Sequence, residues 1–95
     1  MSPSYQHIKG STATATWDLS WSGGSGHYVV LFNYGDNGGY KTIDASTKYN
    51  NIKGLTHTYS ANVNSITYYP RLLILDYNDG TAVGNATATV YKTRS

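Results

Sequence analysis

The chain contains no cysteine and no glutamate, and only 13% of its residues carry a charge. Without cysteine there is neither a disulfide framework nor a thiolate metal site, so packing alone must hold the fold. Modest leucine and alanine, together with plentiful Thr, Ser, Tyr, Asn and Gly, remove the composition that helices need and leave that of strands joined by tight turns. The charged fraction is about half the usual figure for a soluble domain, so solubility rests on hydroxyls and amides. Such a surface is common on secreted and cell-surface modules, and that setting is expected. The formal net charge is +2 and the basic residues are scattered, Lys48 and Lys53 being the nearest to a cluster. No basic stripe is present to neutralise phosphates, which argues against a nucleic-acid partner. No apolar run reaches the length of a bilayer crossing, so no membrane insertion is expected. Residues Met1 to Gly10 lack the charged-then-apolar pattern of a signal peptide. Three origins stay open: a signal removed, a domain cut from a longer chain, or a cytosolic protein.

What is present is aromatic. Trp17, Leu19 and Trp21 alternate with Asp18, Ser20 and Ser22, the pattern of a strand with one buried face. After the small-residue loop Gly23–Gly26 comes His27 to Tyr34, apolar or aromatic at almost every position, as in a central strand covered on both faces. At 95 residues the chain has room for one domain, which buries only about 60–65% of its unfolded surface and so needs a dense core. Each large side chain buried there contributes roughly 1.5–3 kcal/mol.

In chain order, Met1 to Gly10 reads as an arm or edge strand, and Ser11 to Ser22 as one long bent strand or two shorter ones. Gly35 to Gly39 closes a hairpin from the His27–Tyr34 strand into Tyr40 to Asp44. Ala45 to Leu55 is ambiguous. Thr58 to Asn64 alternates, with Tyr59, Ala61 and Val63 on one face, and predicts an outer strand. Ile66 to Tyr77 predicts a second central strand, whose Pro70 restricts its early part to an edge, a bulge or an unpaired position. Asn78 to Gly84 is a turn, and Ala86 to Tyr91 a last strand. The expected fold is therefore all-β: a two-sheet antiparallel sandwich of seven to eight strands, with a barrel as the alternative architecture.

Leu19-Ser20-Trp21 followed by a short loop, Tyr28 to Gly35 and a glycine-rich hairpin resembles the second and third strands of a fibronectin type III domain. Ile52-Lys53-Gly54-Leu55 is similar to the family's Ile-x-Gly-Leu step, and Tyr59 to Val63 to the strand after it. The resemblance covers a little over half the chain and implies an immunoglobulin-like sandwich. It departs from the family after Val63, where about thirty residues remain although one strand would suffice. An extra or shifted strand at Tyr59 to Val63, or membership of a neighbouring immunoglobulin-like family, would account for this. The tail Tyr77 to Tyr91 is faintly similar to the end of small fungal immunomodulatory proteins, which share the sandwich and bind sugars. Fold alone predicts no single activity in these families.

His7, His27 and His57 are the only ready proton carriers near neutral pH. A type III-like topology puts the loops of His27 and His57 at one end, where Asp79 could join them in a metal or acid/base site. No spacing matches a known ligand pattern, and separate surface histidines are the simpler reading. Asp76 to Gly80 begins like a calcium loop but lacks alternate ligands and a closing glutamate, so it reads as a turn. Asp18, Asp36, Asp44, Asp76 and Asp79 mostly sit in turn sequences and suggest no catalytic carboxylate pair. Neither a nucleophile elbow nor a phosphate loop is present. Asn85-Ala86-Thr87 fits the glycosylation acceptor pattern, a triplet that arises often by chance in such a composition.

Ten tyrosines exceed what so small a core can bury. Tyr40, Tyr49, Tyr68, Tyr77 and Tyr91 fall on turns or away from the expected core, where they suit either recognition of sugar or protein or plain cross-strand pairing. The expected function is a non-catalytic binding or spacer module, with no cofactor, meeting a protein or carbohydrate partner through His27, His57, Tyr77, Asn78 and Asp79. A small free-standing lectin acting as a homodimer, and a structural connector in a fibre, capsid or multidomain enzyme, are the alternatives.

Overall fold

The period-two pattern of the sequence is realised as nine strands and no helix in a computed structural model that describes residues Met1–Ser95. The strands are β1 (Tyr5–Lys9), β2 (Thr12–Ser20), β3 (Tyr28–Asn33), β4 (Tyr40–Thr47), β5 (Asn51–Ser60), β6 (Ser65–Tyr68), β7 (Arg71–Asp76), β8 (Ala82–Thr87) and β9 (Thr89–Thr93). They form three sheets of order β1-β9-β6, β2-β5 and β4-β3-β7-β8. Every pairing is antiparallel except β1 with β9, which is parallel. The arm of the sequence reading is thus an edge strand, and Ser2 adds a bridge to Asp18.

The sheets pack in a sandwich-like arrangement around one core. Ala15, Trp17 and Leu19 of β2 and Tyr59 of β5 meet Tyr28, Val30 and Phe32 of β3 and Leu72 and Ile74 of β7. Trp17 and Phe32 bring their ring centroids within 5.1 Å, a tilted contact between large apolar surfaces. Val90 of β9, Ile8 of β1 and Tyr68 of β6 extend the same cluster. Trp21 lies beyond the end of β2 and is half-buried against that cluster, with its ring edge-on to Tyr28.

Several expectations are corrected. Neither β3 nor β7 is buried on both faces: buried and half-buried residues alternate along β3, and along β7 after the exposed Arg71, because no further layer covers the outer face of their sheet. The outer strand expected over Thr58 to Asn64 is shifted, since β5 ends at Ser60. Its partner β2 begins at Thr12, which pairs with Ser60, so the ladder has no backbone left for Asn62 to Asn64, and Val63 is exposed. The stretch Ile66 to Tyr77 divides into β6 and β7 at Tyr69-Pro70, where Pro70 cannot donate to a neighbour. Opposite it Ala88 separates β8 from β9, its N–H donating to Pro70 O at 3.0 Å. The last strand expected over Ala86 to Tyr91 is therefore divided between β8, which starts at Ala82 inside the segment read as a turn, and β9.

Candidate functional site

The register Leu72, Ile74, Asp76 carries a carboxylate onto the core face at the end of β7. Asp76 is 5% exposed, so its charge must find donors inside the protein. It finds them in the β2–β3 loop and in the turn after β7. Ser25 donates its backbone N–H to Oδ2 at 2.8 Å and its hydroxyl to Oδ1 at 3.0 Å, and the N–H of Asn78 donates to Oδ1 at 2.8 Å. These bonds, led by that from the Ser25 amide and followed by that from Asn78, hold the Asp76 carboxyl below its ordinary range. One buried charge thus ties together two loops distant in sequence.

The tie is reinforced on both sides. Asn78 Nδ2 donates to Ser25 Oγ at 2.9 Å, and Tyr77 N–H donates to His27 O at 2.8 Å. Tyr28 donates its hydroxyl to Gly23 O at 2.5 Å, fixing the start of the small-residue loop from beneath. On this frame the His27 and Tyr77 rings stack, centroids 3.9 Å apart and planes 14° from parallel. His27 Nε2 lies 2.6 Å from Ser46 Oγ on β4, which sets the rotation of the imidazole. Tyr77 remains 50% exposed. The result is a flat aromatic plate ringed by amides and hydroxyls.

Of the residues named from the sequence, His27, Tyr77 and Asn78 are brought together. Asp79 lies in the same turn, but its Oδ1 accepts from both the N–H and the hydroxyl of Thr81, at 3.0 and 2.7 Å, so it shapes the turn. His57 is elsewhere. His27 precedes the first residue of β3, whereas His57 stacks at 3.7 Å on Tyr34, just past that strand's last residue. A six-residue strand spans roughly 20 Å, so the two histidines lie at opposite ends and the shared site with Asp79 does not form. At its own end His57 Nε2 lies 2.8 Å from Asp36 Oδ2, within hydrogen-bond distance.

The Asp36 charge also acts on a tyrosine cluster. Tyr59 donates its hydroxyl to Tyr34 O at 2.6 Å and stacks on Tyr68 at 4.3 Å. Burial first, and the Asp36 charge second, raise the phenol pKa values of Tyr34, Tyr59 and Tyr68. Tyr68 is therefore a core residue and not the surface tyrosine expected from its position. Tyr5, Tyr40, Tyr49, Tyr69 and Tyr77 are the exposed ones. The sequence reading missed Ser25 and Ser46 as partners and took Asp76 for a turn residue; the core-facing alternation Leu72, Ile74, Asp76 is the signal that marks it. No group of three or more histidine and acidic side chains converges. Set against known protein families, curated proteins and solved structures, the chain matches none.

Proposed function

We propose that the chain is a non-catalytic binding module of fibronectin type III-like, immunoglobulin-like architecture, using its loop end to meet a protein or carbohydrate partner. The observation that carries this reading is the Asp76 clamp, which holds the Gly23–His27 loop and the Tyr77–Thr81 turn in one arrangement before any partner arrives. Preorganised loops lose little entropy on binding, and a half-exposed tyrosine adds apolar area and a hydroxyl at small further loss. The architecture is supported by strand order. With β6–β7 and β8–β9 each taken as one interrupted strand, β2 lies beside β5, and β4-β3-β7-β8 forms the second layer. That is the pairing of an immunoglobulin-like sandwich with an added edge strand.

The carbohydrate form of the reading draws on one feature. Beside the His27–Tyr77 stack, Asn78 and Ser25 are joined by a hydrogen bond, and a ring face near hydroxyl and amide groups matches the alternating C–H and O–H surface of a sugar. Weak sites of this kind gain strength when a homodimer presents two. The test is a glycan array and an array of extracellular proteins probed with the wild-type chain and with the Tyr77→Ala, Asn78→Ala double variant. A signal lost in the double variant, with the circular dichroism spectrum unchanged, supports the reading; a signal retained in full, or no signal on either array, overturns it.

A further inference from the structure

A second concavity lies at the other end of β3. Asn33 pairs with Tyr40 of β4 on one side and Arg71 of β7 on the other, while Phe32 and Leu72 turn inward. Asn33, Tyr40 and Arg71 therefore form one row on the outer face of the four-stranded sheet. Beside that row Asn33, Gly35, Asn37, Tyr69 and Arg71 line a cavity of about 260 Å³. This is below the roughly 300–1,000 Å³ of sites that enclose drug-sized molecules, and it suits one small ring.

The lining is fixed and its donors are free. A Cβ on Gly35 would sit 2.8 Å from Tyr69 N and 2.9 Å from Tyr69 C, so the turn backbone rests directly on the segment that presents the Tyr69 ring. Asn33 Oδ1 accepts from Gly35 N–H at 2.8 Å, which orients its amide and leaves Nδ2 without a partner. Arg71 forms no side-chain hydrogen bond and no ion pair, and it is exposed. The nearby Asp36 does not serve it: Oδ2 of that carboxylate is engaged by His57, and Oδ1 accepts from Gly38 N–H at 3.3 Å. Tyr69 is 60% exposed beside them.

From this arrangement we propose that the pocket binds a carboxylate-bearing sugar ring, such as a uronic acid residue of an acidic glycan. The Arg71 guanidinium supplies the planar fork that a carboxylate accepts in bidentate fashion. The carboxamides of Asn33 and Asn37 offer donors and acceptors to ring hydroxyls, and the Tyr69 ring packs on the C–H face. A peptide carboxylate would use the same fork, but no apolar recess adjoins it to take a neighbouring side chain, since Tyr69 is the one hydrophobic residue of the lining. The site is independent of the Tyr77 plate.

The test is a two-dimensional amide NMR titration of the full chain with sodium glucuronate, with glucose and with a blocked aspartate peptide. Glucuronate is expected to shift the amides of Gly35, Asn37 and Arg71, with glucose far weaker and added salt reducing the response. Arg71→Gln is expected to weaken binding at least about tenfold, the loss of a charge-assisted hydrogen bond. Arg71→Lys keeps the charge without the fork and falls between. Equal shifts with glucose, no shift at these amides, or shifts with the aspartate peptide and none with glucuronate each overturn the proposal. Spectra unchanged away from the pocket show that the Arg71 variants fold.

Discussion

Asp76 receives two hydrogen bonds from Ser25, one from the backbone at 2.8 Å and one from the hydroxyl at 3.0 Å, across a separation of 51 residues. A carboxylate fixed in this way belongs as much to the β2–β3 loop as to its own strand. Its loss should loosen both loops at once. Asp76→Ala strands the N–H groups of Ser25 and Asn78, whereas Asp76→Asn keeps an oxygen for one of them, so the alanine variant should unfold at the lower urea concentration. Hydrogen exchange should accelerate at Ser25, His27 and Asn78 in both variants and stay unchanged along β2 and β5. Equal protection of those amides in wild type and variants would show that the clamp does not order the loops.

The same carboxylate should contribute to stability against acid. Its pKa lies below the ordinary value of 3.8 because Ser25, then Asn78, donate to the charged form. At acidic pH the unfolded chain takes up this proton before the folded one does, so stability rises with pH in that range. The contribution is complete above about pH 4 and declines as pH falls below it toward the depressed folded value. Urea midpoints measured from neutral pH downward should hold level and then drop, and D76N should flatten the drop. A midpoint that falls equally in D76N assigns acid sensitivity to other groups.

Much of this fold could be read from alternation alone. Thr12 to Ser20 and the hairpin of Gly35 to Gly39 follow from side-chain periodicity and positive-φ residues, whereas Pro70, whose missing N–H marked a restriction, divides what alternation reads as one strand. The end of β5 could not, because Ala61 and Val63 continue the pattern of Tyr59 and only the length of the partner strand stops the ladder. The candidate site was legible in parts: His27, Tyr77 and Asn78 stood out by residue type. Their frame did not, since Ser25 and Ser46 look like any other serine until tertiary contacts place them against Asp76 and His27. His57 was misplaced for a related reason. Its position along β5 depends on the register with β2, where Ala15 is its partner, and a loop assignment for residue 57 erases that register.

Alkaline conditions should test the tyrosine cluster at the Asp36 end. Burial, and then the Asp36 charge, raise the phenol pKa values of Tyr34, Tyr59 and Tyr68 above the ordinary 10.0. Above that value the unfolded chain releases phenolic protons that the folded chain retains, so the stabilisation is whole below about pH 10 and lost as pH rises beyond it. Absorbance titration of tyrosinate should show a group of tyrosines ionising only as the fold opens. Tyr59→Phe removes one of them together with the bond to Tyr34 O, costing about 1–2 kcal/mol at neutral pH and reducing the alkaline slope. Titration of all ten tyrosines in one step near the ordinary value would contradict the cluster.

Two glycines in one turn separate steric contact from backbone strain. Gly35 has φ +77° and Gly39 has φ +71°, so an L side chain is disfavoured at both. A Cβ at Gly39 meets nothing within 4 Å, whereas at Gly35 it would stand 2.8 Å from the backbone of Tyr69. Gly39→Ala should therefore cost about 1 kcal/mol, the conformational part alone. Gly35→Ala must in addition push the turn away from Tyr69, and should cost at least about 1–2 kcal/mol more, in the range of overpacked sites. It should also move the amide resonances of Tyr69 and Arg71, which Gly39→Ala leaves in place. Denaturant midpoints of the two variants decide the matter: if they coincide, the turn does not rest on Tyr69, and the floor of the Arg71 pocket is not held as described.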